Sequence, residues 1–284
     1  MNHIERVILE SHHNKYKMLG DIRYLSNGTR KPLILFVHGF KGFKDWGHFN
    51  LIADYFAENG FVYVKFNLSH DGVSLDNPFE IEDLEAFGNN NFSIELDDLG
   101  LILDHICGRD FEVPKGEVDE NNIFMIGHSR GGGLTILKAA EDPRIKAIST
   151  WAAIYDITKM WSEETFEQWE KEGVLYVQNS RIEQSLPLYY QIVLDYYENK
   201  DRLDIPRAAA KLECPWLICH GTKDETLDVS MARDLKACNK KAELLIIDGA
   251  THHLGGGHPY NSTKLLKHAR IMVEATRTFF QKYI

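Results

Sequence analysis

The chain has 284 residues, enough for one large α/β domain or two small ones. A hydrophobic fraction of 44% and a charged fraction of 26% belong to a soluble globular protein and exclude a disordered one. The formal net charge of -10 disfavours partners such as nucleic acid or an anionic membrane.

The first ten residues, MNHIERVILE, alternate apolar and polar side chains and hold no apolar run of signal-peptide length. No stretch approaches the roughly 20 apolar residues that cross a bilayer, so the cytoplasm is the expected compartment. Cys107, Cys214, Cys219 and Cys238 form no CxxC pair. They read as free thiols in a reducing compartment, not as a disulfide framework or a zinc site.

Strand-like patches at 4–9 and 17–25 precede a turn at Asn27-Gly28. The continuous apolar run 33–37 after Pro32 suits a strand buried on both faces. Phe49, Ile52, Ala53 and Phe56 then repeat at helical spacing, and Gly60 ends that helix. The pattern recurs with a strand at 61–66, a helical stripe through Leu99, Ile102, Leu103 and Ile106, a strand at 122–126 and a helix at 131–140. Strands at 145–150, 216–220 and 244–247 follow, with helices at 229–238 and 263–280. Strands alternating with helices imply right-handed crossovers and a mostly parallel sheet covered on both faces.

One stretch breaks the alternation. Residues 155–207 show no obvious strand and are dense in aromatics from Trp161 to Tyr197. They read as a helical lid inserted between two parts of an α/β core, 1–154 and 208–284. The alternative is an ordinary outer layer whose aromatics fill its own small core.

Gly127-His128-Ser129-Arg130-Gly131 has the form G-x-S-x-G and sits between the strand 122–126 and the helix from Gly131. A turn this tight strains the serine backbone and leaves no room for side chains two positions away, hence glycine at 127 and 131. The helix N-terminus behind Ser129 favours developing negative charge. The plainer reading makes Ser129 a helix N-cap.

Four segments together carry a resemblance: His38-Gly39-Phe40 after an early strand, GHSRGG, HGTKDETLDV, and DGATHHLGG near the end. In this order and at these strand ends, the chain resembles the α/β-hydrolase superfamily over nearly its whole length. It is most similar to carboxylesterases of the dienelactone-hydrolase-like and cinnamoyl-esterase-like groups. Dienelactone hydrolase itself carries cysteine where this chain has Ser129.

The resemblance implies an α/β-hydrolase fold, with a mostly parallel eight-stranded sheet covered by helices on both faces and a helical lid insertion. It implies Ser129 as nucleophile, Asp224 as acid and His252 as base, in the chain order Ser, Asp, His of this fold. It also places an oxyanion hole at the backbone N–H groups of Phe40 and Arg130. Rivals for the acid are Asp228, which looks like the cap of the helix near Val229, and the more distant Asp195 and Asp156. His253 is the second candidate for the base.

His252, His253 and His258 could instead ligate a metal, but HHLGGGH offers no helical i, i+4 pair. Neither metal nor cofactor is expected. The function so implied is hydrolysis of a small or medium acyl or aryl ester through an acyl-enzyme. Thioesters, short peptides and carbon–carbon bonds are alternative substrates, and a non-catalytic small-molecule receptor is possible on the same fold. The expected partner is the small-molecule ester itself, with no membrane span; the oligomeric state stays open.

Overall fold

The computed structural model describes residues 1–179 and 183–284. Two antiparallel strands, β1 (Asn2–Glu10) and β2 (Lys17–Tyr24), open the chain. β3 (Lys31–Val37) is followed by helix α1 (Phe49–Glu58) and β4 (Val62–Phe66). Helices α2 (Leu84–Gly88) and α3 (Phe92–Cys107) lead to β5 (Val118–His128), α4 (Arg130–Glu141) and β6 (Ile145–Trp151).

Next come α5 (Glu163–Glu172), β7 (Val174–Asn179), β8 (Gln184–Tyr189) and the helices α6 (Gln191–Glu198), α7 (Lys200–Leu203) and α8 (Ile205–Lys211). β9 (Trp216–Gly221), α9 (Ser230–Cys238), β10 (Glu243–Ile247) and α10 (Lys267–Phe280) complete the fold.

The main sheet has eight strands in the order β1-β2-β4-β3-β5-β6-β9-β10. It is parallel except where β2 meets β1 and β4. This is the eight-stranded, mostly parallel sheet expected, and its chemistry is plain in β3. Leu33, Leu35 and Val37 enter the core beneath α3, α4, α8 and α9, while Ile34 and Phe36 point to the opposite core beneath α1 and α10. A strand with both faces buried cannot alternate in polarity, which is why it reads as an apolar run. On the second face Phe124 of β5 stacks on Phe280 of α10 at 4.6 Å between centroids. Burying each such ring stabilises the fold by about 1.5–3 kcal/mol.

The order of the strands makes the crevice. From β3 the chain steps outward through α1 to β4, then crosses back over β3 to β5. Connections that leave a strand in opposite directions part at its carboxyl end, and side chains gather in that gap. The loops after β3 and β5 therefore face each other there.

The stretch 155–207 departs from the expected helical insertion. It contains a two-stranded antiparallel sheet, β7 with β8, between its helices. Gly173 ends α5 in the left-handed conformation, φ 73°, and turns the chain directly into β7. β8 holds Pro187, and β7 leaves most of its side chains partly or fully exposed, so neither carries a clear strand pattern. Tertiary contacts supply what the pattern lacks. Trp169 Nε1 donates to the Leu188 carbonyl at 2.7 Å, Gln184 Nε2 to that of Ile81 at 2.9 Å, and the Tyr189 hydroxyl to Glu85 at 2.8 Å. The end also differs: α8 begins at Ile205, before the expected boundary at Arg207, and packs on α4 and α9 in the core layer. Residues 180–182, inside the expected lid, lie outside the described residues. The last helix starts at Lys267, four residues later than its periodicity suggests.

Candidate active site

Ser129 joins β5 to α4 with φ 58° and ψ -121°, a strained conformation for a residue with a side chain. The surrounding structure holds it. Its N–H donates to the Trp151 carbonyl at 2.9 Å, and its own carbonyl accepts from Gly132 at 2.9 Å. A Cβ at Gly127 would stand 2.2 Å from the Gly131 carbonyl, and one at Gly131 would stand 2.3 Å from the His38 carbonyl. Only glycine lets the turn close at both positions.

The loop after β9 presents Asp224, and the loop after β10 presents His252. His252 Nδ1 lies 2.8 Å from Asp224 Oδ2, and His252 Nε2 lies 3.1 Å from Ser129 Oγ. Asp224 Oδ1 accepts from the backbone of Thr226 and Leu227 at 2.9 and 2.8 Å. Burial alone would raise the Asp224 pKa. Hydrogen bonds from His220 and His252, and from the Leu227 amide, outweigh it and hold the carboxyl well below the usual carboxylate range. An ionised carboxylate accepts only, so Nδ1 of His252 donates to it and Nε2 is the ring nitrogen that faces Ser129 Oγ.

Two further histidines brace this chain. His220 Nε2 stands 3.1 Å from Asp224 Oδ2 and 2.9 Å from the Leu227 carbonyl. His128 Nε2 donates to the His252 carbonyl at 3.0 Å, fixing the loop that carries His252. Burial drives the His128 pKa well below 6.5, so its ring is neutral. The His253 ring lines the same crevice, 4.4 Å from that of Trp46.

The other candidate acids do different work. Asp228 accepts from the Ser230 N–H at 2.8 Å at the start of α9, Asp195 from Ser93 at 3.2 Å, and Asp156 from Thr158 at 2.9 Å. Among the described residues, the histidines whose ring nitrogens lie within 4.8 Å of one another are His128, His252 and His253, not His252, His253 and His258. Both ring nitrogens of His252 are already engaged with Asp224 and Ser129. His258 Nδ1 accepts from the Gly47 N–H at 3.0 Å.

Phe40 and Arg130 flank Ser129 in the same crevice. The Arg130 side chain is buried away from it: Nε donates to Glu95 at 2.7 Å, and the guanidinium stacks 4.1 Å from the Phe92 ring centre. Two cavities meet at Ser129. One, of about 220 Å³, adds Trp46, Phe49, Asn179 and His258. The other, of about 290 Å³, adds Phe92, Ile154, Met160, Trp161, Val177 and Leu227.

Of the aromatics from Trp161 to Tyr197, Trp161 lines the larger cavity. Trp169 is fully buried and packs against Trp161, Phe166 and Tyr190. Sequence reasoning missed Lys41, Trp46, Asn179 and His258 as cavity walls and His220 as a partner of Asp224. His220 stands four residues before Asp224, and that spacing is the one signal that could have found it.

The profile of the prolyl oligopeptidase family matches residues 100–274, more than half of the chain. The uncharacterized peptidase YuxL of Bacillus subtilis is 24% identical over 257 residues, 84% of this chain and 34% of that protein. The uncharacterized protein PA2218 of Pseudomonas aeruginosa is 29% identical over 136 residues, 48% of this chain and 32% of that protein. The chain thus spans about a third of the length of these curated relatives. Among solved structures, Est1E of Butyrivibrio proteoclasticus with ferulic acid bound superposes with a TM-score of 0.72 at 20% identity, covering 97% of this chain and 98% of that one. A dienelactone hydrolase from Anabaena variabilis gives 0.62 at 15% identity, covering 99% and 98%. The sheet order, the turn at Ser129 and the family profile lead to one assignment: the chain belongs to the prolyl oligopeptidase family and has the α/β-hydrolase fold.

Proposed function

We propose that the protein hydrolyses carboxylic esters of small or medium acyl or aryl groups through an acyl-enzyme. The observation that carries this reading is the hydrogen-bonded chain from Asp224 through His252 to Ser129, ending at a strained turn that opens on an apolar cavity. Serine hydroxyl is a weak nucleophile until a base takes its proton. Ser129 Oγ bonds to the ester carbonyl carbon while His252 Nε2 takes the proton, and Asp224 stabilises the imidazolium. The tetrahedral oxyanion is received by the N–H groups of Phe40 and Arg130, each worth about 3 kcal/mol of transition-state stabilisation. Collapse breaks the bond to the alcohol oxygen, which leaves with the proton from His252. Water then gives its proton to His252 and attacks the acyl carbon; release of Ser129 Oγ, reprotonated by His252, frees the acid.

In this reading the segment 155–207 is a lid, its contribution being Met160, Trp161 and Val177 over the acyl or aryl group. Apolar area buried there favours binding by about 25 cal/mol per Å². The four free cysteines suit a reducing compartment such as the cytoplasm. Family membership favours a second reading, hydrolysis of short peptides by the same groups.

Labelling by a fluorophosphonate probe, followed by turnover of p-nitrophenyl acetate and a panel of acyl esters, thioesters and aminoacyl p-nitroanilides, tests these readings. Esters turned over at least a hundredfold faster than anilides support the first. Faster anilide cleavage would install the peptidase reading, and labelling without turnover of any member would leave a receptor.

A further inference from the structure

The two cavities that meet at Ser129 differ in chemistry. The larger is walled by hydrocarbon and aromatic side chains such as Ile154, Met160, Trp161 and Leu227. The smaller adds His128, His258, Trp46 and Asn179, while Lys41, His252 and His253 line both. Among the described residues, no Asp or Glu lines either cavity.

Lys41 directly follows Phe40 and has a left-handed backbone, φ 58°, so the chain turns sharply there. Its ammonium crosses to β7 and donates to the Gln178 carbonyl at 3.0 Å. Among the described residues no carboxylate forms an ion pair with it, whereas the buried Lys31, Lys44, Lys65 and Lys138 each have one. A half-buried ammonium accompanied by a carbonyl and by the Phe40 ring, 5.8 Å from its centroid, keeps most of its charge uncompensated. Asn179, the next residue on β7, is 7% exposed, and among the described residues its Nδ2 has no hydrogen-bond partner. Buried amide donors are nearly always paired, so an orphan in the wall of a cavity points to a missing acceptor.

We infer that the smaller cavity receives a carboxylate carried by the substrate, with charge from Lys41 and a hydrogen bond from the Asn179 amide. The larger cavity then holds the hydrocarbon arm. One ammonium matches a monoanion; a phosphate dianion would bury a charge left unpaired. This inference rests on the reading of Ser129 as the nucleophile of an ester hydrolase.

Two pairs of esters, differing only in methyl against carboxylate, test it with the purified full chain. Ethyl hexanoate against monoethyl adipate puts the carboxylate on the acyl side, and pentyl acetate against 5-acetoxypentanoate puts it on the alcohol side. In at least one pair the anionic ester should have a kcat/KM at least tenfold higher. That preference should fall at least tenfold in Lys41→Met and several-fold in Asn179→Leu, mainly through KM, and survive largely in Lys41→Arg. Added salt should weaken it.

Calorimetric binding of the same pairs to Ser129→Ala reads the subsite without turnover, and unfolding curves show which variants are folded. Equal or reversed preference in both pairs, or a preference that Lys41→Met leaves intact, overturns the inference while p-nitrophenyl acetate turnover upholds the hydrolase. Loss of all wild-type turnover with anion-selective binding retained would do the opposite, sparing the subsite and removing the esterase reading.

Discussion

Two buried ionic clusters sit on this sheet and are wired differently. At the β2–β4 edge, Asp21 accepts from Lys44 at 2.8 Å and from Lys65 at 2.7 Å, and Asp45 bonds both lysines as well. Lys65 is fully buried, and every cation there meets a carboxylate. The other cluster runs from Asp224 through His252 and ends at Ser129 Oγ, which faces two cavities. The closed cluster spends its charges on one another and pins the loop before α1 to the sheet. The open one keeps an unspent end. Burial and dense hydrogen bonding are common to both, so they do not mark a site by themselves; a hydroxyl left over at the rim of a cavity sets the second apart.

Substitutions should separate the two. Ser129→Ala should lower ester turnover by roughly three to six orders of magnitude and abolish fluorophosphonate labelling, with the unfolding transition in place. More than a tenth of the activity remaining would close the open end and remove Ser129 from the chemistry. Asp224→Asn should reduce turnover by up to about 10⁴-fold, because it favours the wrong imidazole tautomer. Asp228→Asn, four residues beyond Asp224, touches only the hydrogen bond from Ser230 N–H at the start of α9 and should cost about 1 kcal/mol of stability or less and little activity.

In the closed cluster the ranking reverses. Asp21→Asn leaves Lys44 and Lys65 sharing one carboxylate, and should cost about 3–5 kcal/mol in urea denaturation. Turnover per folded molecule should stay within a few-fold of wild type. A larger loss of turnover would mean that the edge cluster shapes the crevice after all.

The smallest expected effect lies in pH. Burial lowers His48 and His253, beside the crevice, from 6.5 to about 4. Between those values the unfolded chain binds protons that the folded one refuses, so stability falls as pH drops from 6.5 toward 4. Asp45 has the other sign of charge: burial opposes ionisation, but Lys65 and Lys44 prevail and lower its pKa below 3.8. Its contribution is present above 3.8 and is lost only as pH falls further, through the folded-state value. His48→Gln should therefore flatten the melting temperature between pH 6.5 and 4, and Asp45→Asn should act below that window. Identical profiles for both variants would erase the distinction.

Much of this was legible before any coordinates. The turn at Ser129 must clear Gly127 and Gly131 of side chains, and that demand is written in five consecutive residues. Strands β3, β5 and β6 are buried on both faces, and such burial leaves apolar runs that need no long-range information. Asp224 and His252 followed from motif order, and the tertiary structure alone brought them within hydrogen-bond distance of each other.

The hairpin β7–β8 was not legible, because Pro187 and an exposed β7 hide the strand pattern that Trp169, Gln184 and Tyr189 enforce from outside. Nor were the cavity walls. Lys41 and Trp46 come from the loop after β3, Asn179 from β7 and His258 from the loop after β10. Backbone sterics and burial act over a few residues and leave their record in the local sequence. Which loops meet at one point is settled by the order of strands in the sheet, and there the sequence by itself determined the strained turn at Ser129 while only the folded chain decided what surrounds it.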